Sequence, residues 1–281
     1  MERSEEIRNL LSLTPQEVIE KAGDKLIVCK DLEVLHTTFA THIAKEIKTN
    51  NEKNKPTKLI LPVGPTGQYL ILAEVINKEA LSLENCWFFF MDEYCDQNGK
   101  ALLESHPLSF KKIANDLFFN LLSNKSCMNQ DHIIFPNENN VHKIVDLIDG
   151  QGGIDVCYGG IGIHGHVAFN EPQKGVVNSN PRKVTLNNYT RTINAIRAEV
   201  GGNLENFPKS AYTIGLKQIL SAKRIELYCR NGSPYDWANT ILRIALFGQS
   251  GSDYPVTFIR NHPNYTIITD WDTLQQPKYI L

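Results

Sequence analysis

The chain has 281 residues, 42% hydrophobic and 21% charged, a globular balance that excludes a disordered, collagen-like or coiled-coil protein. With 29 Lys and Arg against 31 Asp and Glu the formal net charge is −2, so no positive field favours nucleic acid. The apolar stretches, such as residues 86 to 91, fall far short of the roughly 18 residues a membrane helix needs, and the acidic start MERSEEIRNLLSL lacks the basic and apolar regions of a secretory signal, which predicts a cytoplasmic address.

In chain order, Thr14 and Glu17 form a capping-box pattern with Pro15 at the first helical position, and Gly23 supplies a stop, so a short N-terminal helix is expected. Residues 26–29 read as a buried strand, and Asp31 caps an amphipathic helix running to about Lys48. After the polar run at 50–57 the alternation continues: strand 58–63, helix 68–79, strand 86–91, helix 109–122, strand 132–135, helix 139–149 and strand 154–158. The second half adds strand-like residues at 183–186 and 225–229, a helix around 236–247 and a strand at 265–270. Several strands are continuous apolar runs, the pattern of parallel strands covered on both faces. The expected fold is therefore a single-domain, doubly wound, mostly parallel α/β sheet flanked by helices, Rossmann-like, with residues 1–25 as a helical extension. No linker or internal repeat divides the chain. The cysteines, six in all, are scattered without a CxxC pair and read as reduced, buried thiols; Cys95 alone lies near a candidate site.

Ligands of such sheets sit outside the carboxyl ends of the strands, and three strands there lead into unusual sequence. The first stretch, Gly64 to Gln68, is a glycine turn before a helix, a place where free N–H groups can hold an anion. In the second, Asp92 and Glu93 follow five apolar residues, and a partly desolvated carboxylate can rise toward the pKa of a general base. The third, Gly159 to Pro172, carries His164, His166 and Glu171 among glycines that allow close backbone approach. His166 and Glu171 are candidates for an imidazole–carboxylate pair. His164 and His166 without a third matched ligand make a weak metal motif, so no metal is assigned.

The motifs MDEY at 91–94, HPLSF at 106–110, GGIGIHGHVAFNEP at 159–172, PKSAYTIGLKQILSAKRIEL at 208–227 and NHPNYTIITD at 261–270 stand in the order seen in the glucosamine-6-phosphate deaminase family. From about Leu26 to Asp270 the chain resembles that family, and more distantly the 6-phosphogluconolactonases. The resemblance implies an enzyme that opens an amino-sugar phosphate ring, moves a proton between C2 and C1 and releases ammonia, without metal or organic cofactor. It implies Asp92 as the proton-shuttling carboxylate, His166 as the ring-opening imidazole and Glu171 as its support. Candidate substrate contacts are Gly64, Thr66, Gly67, Gln68, Glu93, Gly160, Gly162, Asn170 and Arg197. The expected partner is a small sugar phosphate, with no nucleic acid and no membrane, and a homo-oligomer is allowed, since family members range from monomers to hexamers.

Two departures stand out. His164 occupies the place of an aspartate in the family's GxxGxDGH pattern, which removes one acid from the relay and is expected to lower the pKa of His166. The phosphate grip is altered too: Gln68 and Tyr69 replace small residues, and the family's G-x-x-K lysine falls on Tyr235. Lys217 and Arg260 are candidate replacements. Two other readings stay open, a sugar-lactone hydrolase in which His166 activates water and a sugar-phosphate sensor that has lost turnover.

Overall fold

A computed structural model describes residues 2–123, 126–232 and 236–281. The chain begins with helices α1 (Arg3–Leu11) and α2 (Pro15–Ala22), the latter held by the capping box of Thr14 and Glu17. Strand β1 (Leu26–Cys29) leads to α3 (Leu32–Glu52), where Asp31 accepts the Val34 N–H, and then come β2 (Thr57–Leu61), α4 (Gln68–Glu79), β3 (Cys86–Phe90) and β4 (Asp92–Tyr94). Helix α5 (Phe110–Leu117), β5 (Ile133–Ile134), α6 (Ile144–Gly150) and β6 (Val156–Gly160) complete the first half. The second half runs β7 (Arg182–Thr185), α7 (Asn188–Arg197), β8 (Ser210–Thr213), α8 (Leu216–Leu220), β9 (Arg224–Cys229), α9 (Ala238–Phe247), β10 (Tyr265–Asp270) and α10 (Trp271–Leu274).

Seven strands form a parallel sheet in the order β1-β10-β9-β6-β2-β3-β5. Successive strand residues enter opposite cores. Leu59, Leu61, Phe88, Phe90 and Tyr158 pack with Phe39 and Ile43 of α3 and Leu72 of α4. Ile60, Phe89, Cys157, Ile225 and Leu227 pack with Val18 of α2, Ile148 of α6, Ile219 of α8 and Leu242 of α9. Both faces are thus covered, which is why the strands read as unbroken apolar runs. Beside β2 the order reverses: β3 lies on one side and β6 on the other. The loops leaving β2 and β6 therefore flank the switch point where such sheets bind ligands.

Three features differ from the sequence expectations. Residues 183–186 belong to no parallel strand; β7 pairs antiparallel with β8, and β8 with β4, in a small separate sheet. Its strands are only three or four residues long and partly polar, so apolar periodicity does not mark them. Helix α6 begins at Ile144, because the Asn137 side chain accepts the N–H groups of Asn139 and Asn140 and diverts the backbone into turns. Helices α1, α7, α8 and α10 are additional. The N-terminal segment packs into the main core through Val18 and Ala22, and Arg243 of α9 donates to the Leu13 carbonyl. Among the described residues no helix is long and apolar enough to cross a membrane.

Candidate active site

A cavity of about 530 Å³ opens at the switch point. It is bounded by the loop after β2, the β3–β4 junction, the loop after β6, the end of α7 and the segment after β9. Asp92, His166, Gly64, Thr66, Gly160, Gly162 and Arg197 all line it. The stretches are brought close by small residues: a Cβ on Gly160 would lie 3.0 Å from the Gly64 carbonyl oxygen.

Asp92 ends the run that forms β3 and turns into the antiparallel sheet, so its carboxyl sits at a strand end instead of in the core. The Phe169 N–H donates to its Oδ1 at 3.1 Å and lies 3.0 Å from Thr213 Oγ1. This N–H is aimed by Ala168, whose φ of 52° puts a non-glycine residue in the left-handed region. Burial pushes the Asp92 carboxyl up to about 7; Thr213 and the Phe169 N–H restrain the rise, the Glu93 charge adds to it and Arg182 opposes it. A carboxyl poised there can take and return a proton near neutrality.

His166 is buried against Gly162, where a Cβ would fall 1.9 Å from its Nε2. Its Nδ1 lies 3.1 Å from His164 Nδ1, and His164 Nε2 lies 2.6 Å from Asn187 Nδ2. Burial first, then the charges of His164 and Arg197, lower His166 to about 3. The direct His166–Glu171 pair expected from sequence is replaced by a longer chain. His164 takes the inner position beside the ring, and Glu171 accepts the Asn187 N–H through both oxygens at 3.2 and 2.9 Å.

Four expected contacts face the protein's own interior. Glu93 is 2% exposed and accepts from Tyr94 N–H, Ser109 Oγ–H, Phe110 N–H and Lys111 N–H, which anchors the start of α5. Gln68 is fully buried and donates to the Pro65 carbonyl. Gly67 lacks a side chain to make room for His36, whose ring would stand 2.2 Å from a Cβ. Asn170 is buried, donates to the Val167 and Ile214 carbonyls and accepts from Ser179 and Arg182, pinning the loop to the small sheet. Strand-end position identifies these residues, but side-chain burial decides which way they face. Cys95 is also buried, and burial raises its thiol away from the reactive thiolate.

Two arginines meet in the cavity wall. Arg197, at the end of α7, stacks 3.8 Å over the Trp237 ring and pairs with Asp236 at 3.3 Å; Gly232 leaves space for its guanidinium. Arg230, one residue past β9, lines the same cavity and was not anticipated. Its signal was available: a basic residue at the carboxyl end of a central parallel strand. Burial lowers both, and the charge of Arg230 lowers Arg197 further. Lys217 and Arg260 lie outside this wall: both are exposed, Lys217 on α8 and Arg260 donating to the Gly248 carbonyl. The position of the family lysine, Tyr235, falls outside the described residues. Like charges side by side and partly desolvated form a receptor for an anion such as phosphate.

No family model matches the chain. It is 31% identical to glucosamine-6-phosphate deaminase 1 of Bacillus subtilis over 255 residues, covering 88% of this chain and 96% of that protein. It is 32% identical to the glucosamine-6-phosphate deaminase of Caenorhabditis elegans over 207 residues, covering 72% of this chain and 74% of that one. The fold matches a solved monomeric glucosamine-6-phosphate deaminase with a TM-score of 0.76 and 29% identity, covering 89% of this chain and 98% of that chain. A Thermotoga maritima 6-phosphogluconolactonase shares the fold alone, with a TM-score of 0.62 at 14% identity over 87% of this chain and 98% of that one. Kinship at this level over nearly the whole length of the Bacillus protein is decisive: the chain belongs to the glucosamine-6-phosphate deaminase family.

Proposed function

We propose that the protein is an amino-sugar phosphate deaminase and aldose–ketose isomerase acting on glucosamine 6-phosphate or a close relative. In the open-chain aldehyde, Asp92 removes the C2 proton and returns it to C1. The amine, then on an imine carbon, leaves as ammonia after water adds. His166 serves the oxygen at C1 and the ring oxygen, and Glu171 supports it through Asn187 and His164. The phosphate is held by Arg197 and Arg230, with Gly64 and Thr66 on the opposing loop. This reading places the protein in the cytoplasm with a soluble sugar phosphate as its partner, and it accommodates either a monomer, as in the solved relative, or a homo-oligomer.

The observation that carries the proposal is a carboxyl raised to about 7 that shares one cavity with a buried imidazole and two arginines. Lactone hydrolysis needs no base at C2 and would leave Asp92 without a task. The test is solvent deuterium exchange at C2 together with ammonia release from glucosamine 6-phosphate, for the wild type and Asp92→Asn. Both are expected in the wild type and absent in the variant. If the wild type shows neither, yet the sugar phosphate raises its melting temperature, the protein is a sensor and the catalytic reading falls.

A further inference from the structure

The hydrogen-bond chain behind His166 has only one arrangement of protons. Asn187 caps α7: its Oδ1 accepts the Thr190 N–H at 2.9 Å, which fixes the orientation of the amide. The other end, Nδ2, is therefore a donor, and it points at His164 Nε2 from 2.6 Å. That nitrogen accepts, with the Thr190 hydroxyl 3.4 Å away as a second donor. A neutral imidazole carries one ring proton, so that of His164 is on Nδ1 and faces His166 Nδ1 at 3.1 Å. His166 Nδ1 must accept, which leaves its own proton on Nε2, the nitrogen beside Gly162 in the cavity wall.

Resting on the proposed function, we infer that His164 and Asn187 are positioning residues that fix the His166 proton on Nε2, so that this imidazole meets the substrate as a neutral hydrogen-bond donor, neither a base nor an imidazolium. A carboxylate at position 164 would do the reverse, accepting from Nδ1 and leaving Nε2 basic. The charged groups around the ring agree. Protonating His166 sets two N–H groups against each other at Nδ1 and adds a cation near Arg197; protonating His164 sets a second N–H against the Asn187 amide. Glu171 is the carboxylate felt by His164, yet its oxygens are engaged by the Asn187 N–H.

The chemistry balances without a proton from His166. As Asp92 takes the C2 proton, the C2–H electron pair forms the C1=C2 bond and the C1=O pair moves to O1. His166 Nε2–H donates a hydrogen bond to that oxygen and keeps its proton, as a neutral imidazole can for a developing enolate. The enolate oxygen takes its proton from the substrate's own ammonium at C2, which gives an enolamine; Asp92 then passes its proton to C1 as the nitrogen lone pair forms the C2=N bond, and water hydrolyses that iminium.

Nitrogen-15 NMR of histidine-labelled protein reads the arrangement directly, whether or not glucosamine 6-phosphate is turned over. Wild-type His166 is expected to show a protonated Nε2 and an unprotonated Nδ1, unchanged from about pH 5 to 8, the range in which a free histidine titrates. Asn187→Asp keeps a good cap but offers an acceptor where the amide donates, so both rings should invert. The His166 tautomer ratio should reverse from about tenfold favouring Nε2–H to about tenfold favouring Nδ1–H, the worth of roughly one hydrogen bond each way. The pH profile of kcat/KM should then gain a second ionisation. His164→Asp should produce the same inversion and serves if the first variant does not fold. A wild-type His166 carrying its proton on Nδ1, or titrating within that range, overturns the inference, as does an unchanged tautomer in the variants. Absence of turnover with the expected NMR pattern would count against the proposed function alone.

Discussion

The protein buries arginine in two opposite ways. Arg243 is wholly enclosed, and its guanidinium donates to the carbonyls of Leu13, Asn239, Leu274 and Gln275, with no carboxylate among these partners; burial lowers it to about 10. Arg197 and Arg230 sit side by side at the cavity, with Asp236 paired to the first. In the first region the fold saturates the cation, so the charge joins helices together. In the second, cationic hydrogen-bonding capacity faces open space, which lowers stability until an anion arrives. Asp92 and His166 belong with the second pattern, each held away from its ordinary protonation range by burial. Stability and function are thus separated by whether a buried polar group is answered from within the chain.

Asp92→Asn should give the largest effect, a loss of about 10²- to 10⁴-fold in kcat, because general-base assistance at C2 disappears. Arg243→Met should come next, destabilising by about 3–5 kcal/mol in urea unfolding, since buried carbonyls lose their donor. Arg197→Ala and Arg230→Ala should each raise KM about 10- to 100-fold for the phosphorylated sugar, with kcat much less affected and melting temperature unchanged or higher. Equal losses of stability in these variants and in Arg243→Met would erase the contrast. The smallest effect is on stability against pH. Asp92 has its folded pKa above the unfolded one, so the folded state binds the extra proton and stability falls as pH rises from about 4 through 7. Asp92→Asn should therefore remove this slope, gaining stability on the wild type as pH rises from 4 to 8 and standing level with it at pH 4. His166 is lowered, so its contribution is lost as pH falls from about 6.5 toward 3, and His166→Gln should flatten that acid limb.

Much of this was legible in the sequence, for physical reasons. A strand covered on both faces is mostly apolar along its length, so β2, β3 and β9 announce themselves despite Lys58 and Glu226, and β10 matches its expected span of 265–270. The short antiparallel sheet was not legible, because its pairing joins residues far apart, such as Asp92 with Thr213. In the site, the strand-end rule led to Asp92 and His166. It could not separate Thr66, which lines the cavity, from Gln68 two residues on, which turns inward to Pro65. The Asn187 link was hidden for another reason. Asparagine at a helix start ordinarily signals only a cap, and its free amide end acquires meaning only once the fold brings His164 to it.

The clamp at Arg243 also bears on how the protein is handled at the bench. Gln276 donates to the Ser12 carbonyl at 2.7 Å, so the connection between α1 and α2 meets the segment after α10 beside the Arg243 clamp. A clone trimmed to start at residue 26 would remove Leu13, Val18 and Ala22 together, baring an oily surface beside a stranded cation, and would be expected to precipitate.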